Sequence, residues 1–425
     1  MKKRSDIITV MIFMILCMPA SVLGAGVAGE SYFHPYLIGQ EEYNDNINLT
    51  PTNKSADYIT TVGPGLSFNK ADAMSGMDLD YKLGFVYYNK DTDKNYLRQN
   101  GSLNAKYLTK GHVNFYLKDL FIQSDEPREL EPLTTQAENK YVLSIAPERA
   151  VYWRNIVEPT IEYKFGPENR VRLIYRNNIY RTTRTDGQDS QENYLNSLFD
   201  YWYDKRNGVH LEYGYTLGNF EQSPNMNAQK ANVRYSHRFN QKSGMFGEYT
   251  YSKRSFGPSS SGYDIHEPSV GMTHAFSPTL NTSAQIGYFG KNPTSGTGTD
   301  GLSYKASITQ LDDLRTTYIL TLQGGFTEDY FTSENLGFKL YHRLTGSWKH
   351  FLAKRTSIGF SGSVERVEFD QGRKDWMQGV TGTLAHQPLK WLTVALECSH
   401  RVRSSNIDSY DYTENRAMIK ITATY

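Results

Sequence analysis

The sequence predicts an all-β fold: a single transmembrane antiparallel β-barrel of about 20 strands, with 18 the nearest even alternative, short periplasmic turns and longer extracellular loops. Three observations predict it. A period of two runs through segments of about ten residues, the length a tilted strand needs to cross a bilayer. Tight turns alternate with longer polar loops, and the last strand ends on an aromatic residue.

The period is plainest in residues 77–88, where Met77, Leu79, Tyr81, Leu83, Phe85 and Tyr87 share one face and Asp78, Asp80, Lys82, Gly84, Val86 and Tyr88 the other. From residue 208, Val209, Leu211, Tyr213, Tyr215 and Leu217 oppose His210, Glu212, Gly214 and Thr216; from residue 302, Leu302, Tyr304, Ala306 and Ile308 oppose Ser303, Lys305, Ser307 and Thr309. A soluble sandwich also alternates, so the connections help decide. Tight turns are predicted at 108–112, 165–170, 204–208, 276–279, 311–315, 352–355 and 387–390, and longer polar loops at 44–55, 182–192, 221–229, 291–301 and 404–414. Short turns at one end and long loops at the other match the periplasmic and extracellular ends of an outer-membrane barrel.

Residues 123–151 read as one long loop, because Pro127, Pro132 and Pro147 would each remove a ladder hydrogen bond from a central strand. It opens with Asp125, Glu126, Glu129 and Glu131 and exceeds the length of ordinary connections. Two readings follow: a segment folded inward as a constriction or gate, and a surface loop that its acidity keeps solvated.

In the last strand Tyr425, Ala423, Ile421, Ile419 and Ala417 face one way and Thr424, Thr422, Lys420, Met418 and Arg416 the other. The ending resembles the terminal signal that the outer-membrane barrel assembly machinery recognises, although phenylalanine is the more usual last residue. Ile419, Ile421 and Tyr425 are the candidate signal residues.

Lys2, Lys3 and Arg4 precede an apolar run over residues 7–20, and Gly24, Ala25, Gly26 and Ala28 follow. This predicts a cleaved signal peptide over residues 1–25 and a barrel over residues 26–425. Cys17 follows Leu16 inside the run, without the small residue that precedes a lipidated cysteine. No later apolar run approaches the roughly 20 residues of a membrane helix. Only Cys398 lies outside the signal segment, so no disulfide, redox pair, thiolate metal site or covalent haem is expected, and the sequence calls for no cofactor. The expected location is the outer membrane of a Gram-negative bacterium, with its lipids and the assembly machinery as partners.

Removing Lys2, Lys3, Arg4 and Asp6 takes the net charge from +1 to about −1, which gives no sign of a nucleic-acid partner. The chain holds 32 Tyr against 20 Phe, which fits a barrel with aromatic girdles at both membrane interfaces.

A closed barrel of this strand number encloses a space that side chains alone do not fill. The first predicted strand starts close to the cleavage site, so an open or loop-gated channel is expected rather than a plugged one. Candidate lumen-lining residues are Asp78, Asp80, Lys82, Arg172, Arg176, Lys339, Arg343, Lys349, Glu397 and Arg401. They are mixed in sign, as solvated residues that balance one another would be. Inward Tyr88, Tyr180 and Tyr341 have two readings, stacking against sugar rings or belonging to an interface girdle.

Residues 296–301, Gly-Thr-Gly-Thr-Asp-Gly, match the dinucleotide fingerprint by letter, but that fingerprint needs a helix after it and none is predicted. The ten histidines lack paired metal-ligand spacing. No enzyme is expected.

Glu41-Glu42-Tyr43-Asn44-Asp45-Asn46-Ile47, Leu49-Thr50-Pro51 and residues 57–66, followed by Tyr152-Trp153-Arg154-Asn155 and residues 163–169, resemble stretches of the β-barrel porin family associated with bacterial exopolysaccharide loci. The resemblance implies an outer-membrane pore that exports exopolysaccharide delivered by periplasmic partners. It carries over no catalytic residue. Asn44, Asp45 and Asn46 suit a strand exit, and residues 166–169, Gly-Pro-Glu-Asn, a tight turn. The alternatives are a general diffusion porin or structural outer-membrane barrel passing small solutes and, more remotely, a sheath around a multihaem cytochrome.

Overall fold

The computed structural model describes residues 31–126, 149–257, 262–312, 315–332 and 336–425. Its strands are β1 (Ser31–Asn44), β2 (Asp57–Ala71), β3 (Ser75–Tyr88), β4 (Tyr96–Leu108), β5 (Val113–Ser124), β6 (Tyr152–Lys164), β7 (Arg170–Thr182), β8 (Ser190–Trp202), β9 (Asn207–Phe220), β10 (Met226–Arg238), β11 (Ser243–Phe256), β12 (Tyr263–Ala275), β13 (Leu280–Pro293), β14 (Thr299–Asp312), β15 (Thr316–Asp329), β16 (Gly337–Ala353), β17 (Thr356–Phe369), β18 (Lys374–Leu389), β19 (Leu392–Ser405) and β20 (Tyr412–Thr424). Each pairs antiparallel with the strands before and after it in the chain. β1 pairs with β20 from Tyr36↔Thr424 to Asn44↔Arg416, which closes a 20-stranded sheet on itself.

The period of two sorts the side chains as expected. Phe85 and Tyr87 are exposed while Val86 and Tyr88 between and after them are buried. Leu173, Leu195, Leu211, Val233, Val270, Ile286, Leu302, Phe360 and Val380 continue an exposed apolar belt around the outside. Such a belt far exceeds the isolated apolar patches of a water-soluble monomer, and its natural solvent is hydrocarbon. Closure is what makes this viable, because hydrocarbon cannot bond an unpaired amide.

Three mid-strand prolines mark gaps in the ladder. Pairing between β2 and β3 skips from Val62↔Phe85 to Gly65↔Lys82 around Pro64. It skips from Val157↔Asn177 to Thr160↔Ile174 around Pro159, and from His266↔Gly290 to Ser269↔Gly287 around Pro268. The register on either side of each gap is unchanged, so the missing N–H costs local bonds without moving a side chain to the wrong face. Beside Pro64 the close approach is filled by glycine: a Cβ on Gly65 would lie 2.1 Å from the Tyr36 ring. That ring crosses the space to donate its hydroxyl to Asp80 Oδ2 at 2.8 Å.

Connections are short at one end of the barrel, for example residues 109–112 and 354–355, and longer at the other, for example 45–56 and 125–151. These are called the turn end and the loop end below. Gly65→Val is predicted to cost about 1–3 kcal/mol by displacing the Tyr36 ring. Gly39→Ala, whose Cβ would meet nothing within 4 Å, should stay within about 0.5 kcal/mol of the parent. Urea unfolding of both variants in lipid vesicles checks the contrast.

Candidate functional site

Among the described residues, two segments at the loop end leave the wall and fold into the lumen. The first joins β1 to β2. Asn44 and Asn46, both fully buried, pin its exit. Asn44 Nδ2 donates to Glu414 Oε1 at 2.7 Å, and Asn46 Nδ2 donates to the carbonyls of Thr50 and Thr413 at 2.8 and 3.0 Å. The turn so formed holds Leu49 at φ +53°, a left-handed conformation that a non-glycine residue keeps only when its surroundings impose it. Ile47 packs with Ile59, Val86 and Tyr88 of β2 and β3, whereas Leu49 packs with Val367, Met377 and Tyr412 of β17, β18 and β20. The segment therefore bridges two stretches of the inner wall.

Arg149, just before β6, fastens it. Its Nε donates to the Ile47 carbonyl at 2.9 Å, Nη1 to the Tyr88 hydroxyl at 3.1 Å and Nη2 to Glu126 at 3.3 Å. Glu42 and Asp125 lie 3.6 and 3.7 Å away. Burial alone would lower the Arg149 pKa, but Glu126, Tyr88, Asp125 and Glu42 outweigh it and hold the guanidinium well above its usual value. The acidic start of the long connection thus neutralises a buried cation instead of solvating a surface loop: Asp125 and Glu126 are buried. β5 runs to Ser124, so this connection begins at Asp125 rather than at residue 123. Glu129 and Glu131 lie outside the described residues.

The second segment is the β15–β16 hairpin. β14 and β15 pair only as far as Tyr304↔Gly324, although β14 continues beside β13 to Lys291↔Thr299 and β15 beside β16 to Asp329↔Gly337. The split begins at Gly325, whose φ of +140° suits glycine and whose added Cβ would lie 3.1 Å from Ser303 Cβ. Beyond it the hairpin lies over the inner faces of neighbouring strands. The Phe326 ring packs 5.0 Å from that of Phe289, Arg254 Nη2 donates to Glu328 at 2.5 Å, and Tyr263 bonds both Glu328 and Tyr330. Phe331 stacks on Phe220 of β9 at 5.4 Å, and its carbonyl accepts from Arg154 Nη2 of β6 at 3.4 Å. β6 stands nine strands from β15 in a ring of twenty, so the hairpin crosses the lumen.

The candidate lining residues lie on the face opposite the apolar belt, mostly in ion pairs or hydrogen bonds. Asp78 is bonded by Asn69, and Lys82 lies 3.2 Å from Asp80. Arg172 lies 3.9 Å from Asp200, while Arg176 donates to Glu192 at 2.9 Å and covers the Tyr194 ring. Lys339 pairs with Asp329, both buried, and Arg343 donates to Glu365 at 2.7 Å. Arg416 donates to Glu397 at 2.6 Å, and Arg401 lies 3.8 Å from Glu414. Lys349 sits near the turn end, its Nζ 4.9 Å from the Phe351 ring centre. Ile419, Ile421 and Tyr425 are exposed on the outer face.

The inward tyrosines fit neither sequence reading. Tyr88 and Tyr180 are buried, the first beneath Ile47 and Arg149, the second stacked on Tyr152 at 5.6 Å, and Tyr341 packs against the Leu49 cluster. Tyr88 and Tyr341 pack with the segment between β1 and β2, and Tyr180 lies in a wall cluster with Leu120, Ile122 and Tyr152. Residues 296–301 run from a turn into β14, with no helix to meet a phosphate. Sequence reasoning missed the crossing hairpin; its signal was Phe326, Tyr330 and Phe331 clustered where a polar loop tip would be ordinary.

Among solved structures the chain is similar to the siderophore receptor PirA from Acinetobacter baumannii, at 8% identity over 94% of this chain and 81% of that one, with a TM-score of 0.53. PirA from Pseudomonas aeruginosa matches at 11% identity over the same shares, with a TM-score of 0.51. Pseudomonas aeruginosa OpdK, in a structure with vanillate, matches at 9% identity over 92% of this chain and 99% of that one, with a TM-score of 0.44. The likeness is one of fold. No protein-family model and no curated protein matches the sequence.

Arg149→Met is predicted to cost about 3–5 kcal/mol, because it leaves Glu42, Asp125 and Glu126 buried without their cation. Limited proteolysis should then cut the 45–56 segment faster, and Glu126→Gln in the same chain should restore part of the stability measured in urea.

Proposed function

We propose that the chain is an outer-membrane channel for small polar solutes, with its loop end extracellular and its turn end periplasmic. The observation that carries this reading is the β15–β16 hairpin seated across the lumen, with Phe331 against β6 and β9. A passage narrowed from within suits molecules of limited size. The wall charges are largely matched to one another, as in Arg176 with Glu192, Arg343 with Glu365 and Arg416 with Glu397, so neither sign of solute is strongly favoured.

In this reading the candidate lumen-lining residues border the passage, residues 1–25 direct export and are removed, and Ile419, Ile421 and Tyr425 present the assembly signal. Residues 1–25 lie outside the described residues. Exopolysaccharide export rests on the sequence resemblance alone: a polymer chain would need the hairpin contacts to open, and the periplasmic partners it requires are implied by that resemblance only.

Conductance in planar bilayers, with liposome swelling in sugars of increasing length, tests the proposal. The parent chain should conduct weakly and admit monosaccharides but not long oligosaccharides. Glu328→Gln combined with Phe331→Ala should raise conductance severalfold and move the size limit upward. A parent chain that admits long oligosaccharides as fast as monosaccharides would overturn it.

A further inference from the structure

Toward the turn end, the two sides of the inner wall are built from different side chains. The apolar belt fixes the parity: Val270, Ile286, Leu302, Phe360 and Val380 are exposed on the outer face, so the residues next to each of them in its strand point into the lumen. From β12 to β19 these inward positions hold small uncharged residues. β17 presents Ser357, Gly359, Ser361 and Ser363, and β18 sets Thr383, Thr381 and Gly379 opposite the last three. β12 presents Ser269, Gly271 and Thr273, and β14 presents Ser303, Ser307 and Thr309. Lys305, Lys349 and Glu397 are the charged exceptions in the turn-end halves of these strands.

β7 stands ten strands from β17 in the ring of twenty, and on that side the inward positions carry long charged side chains. Those side chains bond one another. Asp200 accepts from Arg170 Nε at 2.8 Å and bonds His210 Nδ1 at 2.6 Å, Glu192 accepts from Arg176 at 2.9 Å, and Arg234 pairs with Glu248. Glu162 accepts from Asn114 and Tyr116 at 3.1 Å each. Across the lumen, the hydroxyls of Thr273, Thr309, Ser361 and Thr381 bond no other group among the described residues. The two sides also differ in thickness: an arginine or glutamate reaches several ångströms further than a serine or glycine, so the open space is displaced toward β12–β19. A cavity of ≈ 390 Å³ lies on that side at the turn end, its lining including Thr273, Asn281, Ser283, Ser307, Thr309 and Lys242.

We propose that solutes cross this half of the barrel along the β12–β19 wall, and that its open hydroxyls make it a track for uncharged polyhydroxy molecules, the sugars and polyols. Each hydroxyl both donates and accepts, so it exchanges bonds with a solute hydroxyl as readily as with water and holds no solute tightly. The charges on the facing wall are already engaged with one another and offer an ion little in return for its hydration. Pore selectivity of this kind comes from the donors and acceptors along the path and from the electrostatic barrier beside it. The inference rests on the proposed channel and deepens it, naming the wall that carries the solute and the class of solute it suits.

The test is efflux from proteoliposomes of sorbitol, gluconate and glucamine, which share a hydroxylated carbon chain and differ in charge, with the membrane potential clamped by potassium and valinomycin. Sorbitol should leave the parent vesicles severalfold faster than either ion. S361C and L198C, each in a C398S chain, place a thiol on opposite walls at similar depth, and the folded chains are modified with a compact uncharged maleimide. Because the label is added after folding, slowed efflux cannot come from misfolding. Modification of S361C should slow sorbitol severalfold, and modification of L198C should leave it nearly unchanged. Equal slowing by the two labels would place the passage centrally and overturn the track. Gluconate released as fast as sorbitol would mean that Lys305 and Lys349 set the selectivity, and this result, like equally fast glucamine, would overturn the solute class. A parent that released none of the three would instead contradict the channel reading beneath the inference.

Discussion

Every strand in this chain has a partner on both sides because β1 meets β20, and the rest of the structure depends on that seam. The nine pairs from Tyr36↔Thr424 to Asn44↔Arg416 remove the two edges that an open sheet would expose to hydrocarbon. Closure then fixes which face each residue occupies, since a slip of one position would send the apolar set inward. It also explains why the internal prolines are tolerated: each costs ladder bonds around one site while the register stays locked by the flanking pairs.

Against that requirement the split between β14 and β15 stands out. Residues 299–303 and 325–329 lie opposite one another without pairing, because the chain turns inward at Gly325. What the wall loses in backbone bonds is offset by burial of Phe289, Tyr263 and Ile265 against Phe338 of the hairpin and by the Arg254–Glu328 pair. The segment between β1 and β2 makes the complementary exchange on the other side, with Arg149 as its buried counter-ion. The mouth is therefore filled by protein built on the same hydrophobic principle as a soluble core, while the wall below it remains polar and paired.

The strand pattern was legible because a period of two is local: Met77 to Tyr88 declares its two faces without reference to any other segment. The strand count and the direction of the faces followed from the same signal. The destination of the loops was not legible, because it is set by contacts far away in sequence. Ile47 and Leu49 in a polar loop, and Phe326 with Phe331 around a hairpin tip, are apolar residues in places where a solvated loop does not need them. They were visible, but their partners Tyr412, Phe289 and Phe220 could be named only from the fold. The same holds for Tyr88, whose inward direction was readable while Ile47 above it was not. The lining charges were readable one at a time, and their mutual pairing depends on cross-strand register.

If the β15–β16 hairpin crosses the lumen, Phe331 and Phe220 lie side by side, and their proximity can be measured in the membrane. Both would be replaced by cysteine in a Cys398→Ser chain, and the folded protein treated in membranes with a short bifunctional thiol reagent. Efficient crosslinking within the chain is expected, with conductance kept low after crosslinking. Absence of a crosslink, with both cysteines open to a membrane-impermeant maleimide, would contradict it and leave an unobstructed barrel.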